Sequence, residues 1–154
     1  MPAKLKGQEM DLDKQDYEGA CHCGTVRFRV RLSEGLRSAR RCNCTLCRMR
    51  GAVAVWAKVG DLTVTAGEDA LTFYQFNTKV AEHYFCSKCG IYTHHKRRSN
   101  PHQYGVNVAC LESISPFDFE EIPVNEGIHH PSDGGGYSDI AGILYFRANS
   151  EEDA

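Results

Sequence analysis

A cluster of three cysteines and two flanking cysteine pairs constrain this chain of 154 residues more than any other feature. The cluster, called here the cysteine triplet, is Cys42, Cys44 and Cys47, and the pairs are Cys21 with Cys23 and Cys86 with Cys89. Four thiolates form the usual closed shell of a structural zinc ion, whereas three protein ligands leave a fourth position for water or substrate. The clustered cysteines therefore predict two zinc ions, one structural and one with an open position.

The setting of these cysteines favours metal binding over disulfides. Residues 1–16 carry charges of both signs and lack the apolar core of a signal peptide, and no apolar run approaches the roughly 20 residues of a membrane-spanning helix. We therefore expect a cytoplasmic protein without a membrane partner. In the reducing cytosol, clustered thiols indicate metal or redox chemistry. A Cys-x-Cys spacing also strains a disulfide, while both sulfurs easily reach one ion.

The overall charge argues against nucleic acid as a partner. The net charge of -2 gives no general attraction to nucleic acid or to an anionic membrane. Two basic runs, 37–50 and 96–98, are local exceptions. We interpret the second as a solvated charge run, with a pocket for anions as the alternative. Hydrophobic content of 42% and charged content of 25% are ordinary for a globular protein, so we expect a single folded domain.

The hydrophobic pattern predicts a mainly β domain over residues 17–147. A flexible tail is expected before it, over 1–16, and an acidic tail after it, over 148–154. Residues 25–32 alternate between apolar and basic side chains, the period of a half-buried strand with one wet face. Gly24 is expected to take a positive φ in the turn that precedes this strand.

Several further strands are predicted along the chain. Residues 52–57 and 62–65 read as a hairpin with its turn at Gly60–Asp61. A short helix is expected to open at Ser115, with Pro116 in its first turn, and residues 125–137 are predicted to be loop. The remaining predicted strands are 71–76, 80–85, 91–95, 103–110 and 143–147.

The two cysteine pairs are about sixty residues apart and predict a closed structural site. One ion held by both pairs would tie the first strand to the middle of the sheet and contribute folding free energy, on the order of 10 kcal/mol of binding in small zinc peptides. All-thiolate tetrahedral coordination favours zinc over iron. Reduced free thiols are the other alternative.

The fourth ligand position of a zinc ion at the triplet decides whether this second site is catalytic. We favour an open site, but Cys110, His94 or His95 could close it and make it structural too. His94 and His95 fall on opposite faces of a strand, so at most one of them can face the site. An open zinc site would hold a coordinated thiol as the thiolate and polarise a carbonyl. The neighbouring basic residues that would favour an anionic thiol are Arg40, Arg41 and Arg48.

Three runs of the sequence resemble the glutathione-dependent formaldehyde-activating family, also called the centromere-protein-V-like family. They are residues 19–28, Cys42-x-Cys44-x-x-Cys47-Arg48 and Phe85-Cys86-x-x-Cys89-Gly90. The similarity covers about 17–111. The resemblance implies an Mss4-like β-tent of small antiparallel sheets, with a structural zinc on Cys21, Cys23, Cys86 and Cys89 and a catalytic zinc on Cys42, Cys44 and Cys47. It also implies condensation of glutathione with formaldehyde to S-hydroxymethylglutathione, a carbon–sulfur lyase reaction run in reverse.

We therefore predict a zinc-dependent carbon–sulfur lyase-like enzyme that acts on a small thiol and an aldehyde. The triplet would be its catalytic centre, Arg48 or Arg50 would hold the carboxylate of the substrate, and His94 or His95 would move the proton. The alternative is a non-catalytic module with two zinc ions that contacts a protein or nucleic acid. A homodimer is left open.

Overall fold

The computed structural model describes residues 4–5, 10–129 and 139–150, which form two β-sheets. In chain order the strands are β1 (Lys4–Leu5), β2 (Asp16–Ala20), β3 (Arg27–Leu32), β4 (Arg41–Cys42), β5 (Ala54–Ala66), β6 (Leu71–Tyr74), β7 (Glu82–Cys86), β8 (Tyr92–Lys96), β9 (Gln103–Asn107), β10 (Phe119–Asn125) and β11 (Ile140–Tyr145). In the described part of the chain, the one α-helix is α1 (Thr45–Arg50). The mainly β fold predicted from the sequence is confirmed.

The larger sheet has seven strands in the order β2-β3-β5-β9-β8-β7-β6, with every neighbouring pair antiparallel. The smaller sheet has the order β1-β10-β11, and β4 adds to β10 in parallel. Because β4 ends at Cys42, this parallel pairing brings the end of β10 directly beside the cysteine triplet.

Strand β3 has the alternation that its sequence predicts. Phe28 and Val30 are fully buried, whereas Arg29 and Arg31 are exposed and form ion pairs with β2. The core on the buried face of β3 continues through β5 and β9, and Phe119 of β10 joins it from the smaller sheet. The two sheets therefore share one hydrophobic core.

The predicted hairpin turn at Gly60–Asp61 is wrong. These residues lie inside β5, which runs for 13 residues without a turn. On the partner strand β3, Leu32 pairs with Ala57 and Val30 pairs with Leu62, so the extra residues between Ala57 and Leu62 are absorbed in a bulge. The first part of β5 pairs with β9 and its second part with β3, and this pairing with two partners keeps the chain extended.

The described part of the predicted N-terminal tail contacts the folded domain, which differs from the expectation for residues 1–16. Met10 and Leu12 pack against the core. The amide of Leu36 donates to the carbonyl of Leu12 at 2.9 Å. Residues 1–3, 6–9 and 151–154 lie outside the described residues, so the rest of both predicted tails stays a prediction.

Most of the other predicted elements are present in the structure, but their lengths differ from the predicted ones. The predicted strands 71–76 and 80–85 are present as β6 and β7, which pair in antiparallel, and Ser115 caps the short 3₁₀ helix Pro116–Asp118 by accepting from the amide of Phe117 at 3.1 Å. Strand β10 and helix α1 were not predicted. The predicted loop 125–137 begins at the last residue of β10, and residues 130–137 lie outside the described residues. None of the helices among the described residues has the length and apolar character to cross a membrane.

Candidate metal centres and active site

Four sulfur atoms from two distant turns converge, as the sequence predicts. Their Sγ atoms, from Cys21, Cys23, Cys86 and Cys89, all lie within 4.8 Å of one another. Two of the separations are 3.6 Å between Cys21 and Cys23 and 3.8 Å between Cys23 and Cys86. Four sulfurs bound to zinc at about 2.3 Å stand roughly 3.8 Å apart in a tetrahedron. The donor set therefore fits a zinc ion, and we call it the four-cysteine site.

The two turns that carry these cysteines have the same backbone design. In each, the amide of the first cysteine donates to the carbonyl five residues later, at 3.0 Å. Gly24 and Gly90 follow the second cysteine of each turn with φ of +76° and +77°, a conformation that glycine adopts without strain. The expected positive φ of Gly24 is confirmed. These local turns orient both sulfurs of each pair toward one point.

The protein environment favours the thiolate at the exposed side of the four-cysteine site. Hydrogen bonding with the Thr25 hydroxyl lowers the pKa of Cys23 to about 6, and backbone amides lower the pKa of Cys89. Burial instead raises the pKa of Cys21. A thiolate is the form that binds metal, so the lowered pKa values of Cys23 and Cys89 favour binding of a cation.

The cysteine triplet is built by one turn and the start of α1. Its three Sγ atoms lie within 4.8 Å of one another. The amide of Cys44 donates to Cys42 Sγ and the amide of Cys47 donates to Cys44 Sγ, each at 3.4 Å, so that Cys44 caps the helix. Gly51 ends the helix with φ of +71°, and its amide donates to the carbonyl of Cys47 at 2.9 Å.

Hydrogen bonding within the triplet concentrates negative charge on one sulfur. The bond with Cys42 is the largest cause that lowers the pKa of Cys44, to about 2. The bond with Cys44 raises the pKa of Cys42, and the bonds with Cys42 and Cys44 raise the pKa of Cys47. A divalent cation would allow all three thiols to ionise. The donor set, three close sulfurs of which one already favours the thiolate, fits a zinc ion.

The chain that follows β10 packs directly against the triplet. A Cβ atom on Gly127 would lie 2.5 Å from Cys42 Sγ, so this position has no room for a side chain. The amide of Gly127 donates to Asn43 Oδ1 at 2.7 Å. The Glu126 carboxylate in turn accepts from the amide of Ile128 at 2.8 Å and lies 3.5 Å from Asn43 Nδ2. Sequence reasoning missed these contacts, and the Asn43 side chain between two cysteines was the available signal.

Arg50 is the arginine in contact with the triplet. Its Nη2 donates to Cys47 Sγ at 3.6 Å and its Nη1 donates to His83 Nδ1 at 3.0 Å. The guanidinium also lies over the ring of Tyr92, 3.7 Å from the centroid. Arg48, the other predicted substrate contact, is exposed on α1. Arg50 is therefore fixed beside the sulfurs by three separate interactions.

His83 and His95 line the same face of the sheet, although only His95 was predicted. Their rings stack at 5.3 Å, and they pair directly across β7 and β8. Arg50 can only donate, so His83 Nδ1 accepts and a neutral His83 carries its proton on Nε2. Burial is the main cause that lowers the pKa of His83, to about 4, and that of His95 well below its usual value. Both rings are therefore neutral near pH 7.

His94 points to the other face, as the alternation of a strand requires. Its ring is buried, stacked on Tyr84 at 4.6 Å and edge-on to Tyr104 at 4.9 Å. Burial lowers its pKa to about 4. The expectation that at most one of the two histidines faces the site is consistent with this arrangement, and His95 is the one beside Arg50.

Cys110 is not part of the triplet. Its Sγ lies 3.5 Å from the carbonyl of Tyr92, and burial raises its pKa to about 12. Within the described residues, no fourth Cys, His, Asp or Glu joins the three sulfurs at ligand spacing. All eight cysteines lie in this part of the chain, and none forms a disulfide.

Residues 16–123 match the sequence profile of a family described as "Glutathione-dependent formaldehyde-activating enzyme". The chain belongs to the glutathione-dependent formaldehyde-activating enzyme family. This membership confirms the resemblance on which the sequence prediction rests, and it covers most of β2 to β10 together with both cysteine sites.

Two relatives of this formaldehyde-activating family member extend the comparison. A Halomonas elongata protein named "Putative glutathione-dependent formaldehyde-activating enzyme" is 36% identical over an alignment of 80 residues, and the match covers 47% of this chain and 50% of that protein. The chain thus aligns with half the length of this relative. A Rhodobacter sphaeroides protein of known crystal structure is 55% identical with a TM-score of 0.68, covering 70% of this chain and 98% of that one. The fold is therefore shared over the covered part.

Proposed function

We propose that this protein is a zinc-dependent carbon–sulfur lyase-like enzyme that joins a small thiol of the glutathione type to an aldehyde such as formaldehyde. The observation that carries the proposal is the triplet, three sulfurs within 4.8 Å of one another with no fourth ligand group among the described residues. Three protein ligands and an open position are typical of catalytic zinc. Family membership supports the choice of thiol and aldehyde.

The proposal assigns two zinc ions per chain. The four-cysteine site would hold the structural ion, and Cys42, Cys44 and Cys47 would hold the other. Bound there, zinc would lower the pKa of a coordinated thiol and polarise a carbonyl oxygen. Thiols kept reduced for a metal suit a reducing compartment, so we also propose a cytoplasmic location.

The reaction balances without a further reactant. The substrate sulfur forms a bond to the aldehyde carbon, and the carbonyl electron pair moves to the oxygen. That oxygen takes up the proton that the thiol has lost. The product is the S-hydroxymethyl adduct, and the reverse reaction breaks the same carbon–sulfur bond.

Arg50 would stabilise negative charge on the substrate sulfur. Its contact with Cys47 Sγ, its stacking on Tyr92 and its bond to His83 hold the guanidinium beside the triplet before substrate arrives. A positioned cation of this kind favours the thiolate over the thiol. Arg48 stays a predicted substrate contact from the exposed side of α1.

His95 is the better placed of the two predicted proton carriers. The Tyr92 hydroxyl lies 3.1 Å from the Gly105 carbonyl, to which it can donate, and 2.6 Å from His95 Nδ1. In the tautomer that we propose, the hydroxyl donates to Gly105 and His95 Nδ1 donates to the hydroxyl, so that Nε2 is an acceptor. We propose that Nε2 takes the thiol proton and returns it to the new hydroxyl. The low pKa of His95 favours rapid return.

Exchange spectroscopy on S-hydroxymethylglutathione formation tests the proposed function. We expect the wild-type protein to exceed the uncatalysed rate and Cys44→Ser to lose that excess. Cys110→Ala is the matched control, because it removes a cysteine outside both sites. The uncatalysed addition is fast, so background must be subtracted; a tenfold excess corresponds to about 1.4 kcal/mol of barrier lowering.

The same experiment separates the proposal from its alternative. A folded, zinc-loaded wild-type protein with no rate above background for glutathione or other small thiols would contradict the enzyme assignment. That result would favour a non-catalytic module with two zinc ions.

A further inference from the structure

A second guanidinium group lies on the same face of the larger sheet as the triplet. Arg97 comes two residues after His95, and its Cζ lies 4.0 Å from the centroid of the Trp56 ring. His95 and Trp56 both pair with Gly105, one on each side of its strand, so their side chains project from the same face of the sheet. Arg97, two residues after His95, projects from that face as well. A Cβ on Gly105 would collide with both rings. Because Gly105 has no side chain, the rings of His95 and Trp56 can both pack above β9.

Arg97 is held in place by neutral groups. Its guanidinium donates to the side-chain oxygen of Gln103 and to Ser99 Oγ, the latter at 3.3 Å. No carboxylate of the described residues pairs with it, and burial lowers its pKa. The Arg97 residue is half-buried, and partial removal of a charge from water without a counter-ion carries a cost. Among the described residues, Arg97 therefore has hydrogen-bond partners but no counter-ion.

His83 and Trp56 lie on opposite sides of His95 in the sheet register, and Arg50 bonds to His83 whereas Arg97 lies over Trp56. Arg50 contacts Cys47 Sγ at 3.6 Å, so Arg50 lies at the triplet and Arg97 lies on the far side of His95 from it. After burial, Arg50 and Arg97 both contribute to the low pKa of His95, which places both guanidinium groups near its ring. A ligand with its sulfur at the triplet must extend past His95 to reach Arg97. A thiol of two or three carbons is too short for this, whereas a peptide-length thiol has the reach.

We propose that Arg97, held over the Trp56 ring, binds the terminal carboxylate of a peptide-length thiol whose sulfur lies at the cysteine triplet. The inference rests on the proposed function and adds to it a residue that determines specificity, one that favours thiols with a carboxylate distant from the sulfur. A planar guanidinium binds a carboxylate through two parallel hydrogen bonds. In glutathione the glycyl carboxylate fits this position better than the γ-glutamyl carboxylate, which would bring an ammonium group close to the Arg97 guanidinium.

The chain offers a direct optical probe of this contact, because Trp56 is its one tryptophan. Zinc-loaded protein is titrated with reduced glutathione and with its glycyl ethyl ester, followed by tryptophan fluorescence and by calorimetry. We expect the wild-type protein to bind glutathione about tenfold or more tighter than the ester, the range of one charge-assisted hydrogen bond. Arg97→Gln should bind both ligands equally, near the affinity of the wild-type protein for the ester.

Lys96→Gln is the matched control. It removes one positive charge one residue away, on the opposite face, where Lys96 Nζ pairs with Glu82 Oε1 at 3.1 Å. We expect it to keep the preference for glutathione. Arg97→Lys keeps the charge without the planar fork and should retain only part of the preference. Circular dichroism melting establishes that each variant is folded.

Two outcomes overturn this inference alone: a wild-type protein that binds glutathione and the ester equally well, or an Arg97→Gln variant that keeps the full preference. In both cases thiol binding persists and the proposed function stands. A wild-type protein that binds neither ligand contradicts the proposed function, and this inference with it.

Discussion

At the scale of single residues, Gly127 shows how closely the chain after β10 fits the triplet. A Cβ atom there would lie 2.5 Å from Cys42 Sγ and 2.9 Å from Cys44 Cβ. The amide of Gly127 also donates a hydrogen bond to the side chain of Asn43, the residue between these two cysteines in the sequence. A side chain at this position must therefore displace either a sulfur or the loop.

Gly127→Ala should release metal from the triplet and leave the four-cysteine site loaded. We expect elemental analysis after dialysis to show a fall from about two zinc ions per chain to about one, because a three-ligand site tolerates little displacement of a sulfur. Gly142→Ala is the control, since nothing lies within 4 Å of a Cβ at that position. An unchanged zinc content in Gly127→Ala would argue that the loop is not part of the site.

At the scale of elements, the two metal centres differ in what they connect. The four-cysteine site joins the turn between β2 and β3 to the turn between β7 and β8, and β5 and β9 separate these strand pairs in the sheet. The sheet must therefore curve to bring the turns together. The triplet instead lies in one short segment, from the end of β4 into α1. Loss of the first site removes a link between distant strands, and loss of the second does not.

This difference predicts opposite effects of two similar substitutions. Cys86→Ser should leave the domain largely unfolded at 25 °C, because structural zinc contributes on the order of 10 kcal/mol and whole domains have about 5–15 kcal/mol of stability. Cys44→Ser should shift the melting temperature by only about 5 °C. Circular dichroism melting of both variants measures this. Equal unfolding of both would mean that the triplet is structural as well.

At the scale of the whole molecule, short-range patterns in the sequence predicted more than long-range contacts did. The cysteine pairs and the triplet follow from spacings of two or three positions, and the strand β3 follows from its alternation, so both could be predicted directly from the sequence. The partners around the triplet could not, because Arg50 and His83 are 33 positions apart and Asn43 and Gly127 are 84 apart. The predicted turn at Gly60–Asp61 was wrong because pairing of β5 with two neighbouring strands outweighed the turn preference of these residues.

The same limit applies to Arg97. The run 96–98 reads as a solvated charge run in the sequence, and only the pairing of β5, β9 and β8 places one member on Trp56. Charge patterning alone does not identify which arginine of a run is held on an aromatic ring.

The central claim is that the triplet holds a metal ion with a position open to a thiol, and cobalt substitution tests it most directly. Glutathione is titrated into protein with cobalt at the triplet and zinc at the four-cysteine site, and the thiolate-to-cobalt charge-transfer absorption is recorded. The account predicts that this absorption grows with glutathione and saturates near one equivalent per chain, because a fourth thiolate joins three. Cys44→Ser should not show the change. An absorption that glutathione leaves unaltered in the wild-type protein would contradict the claim.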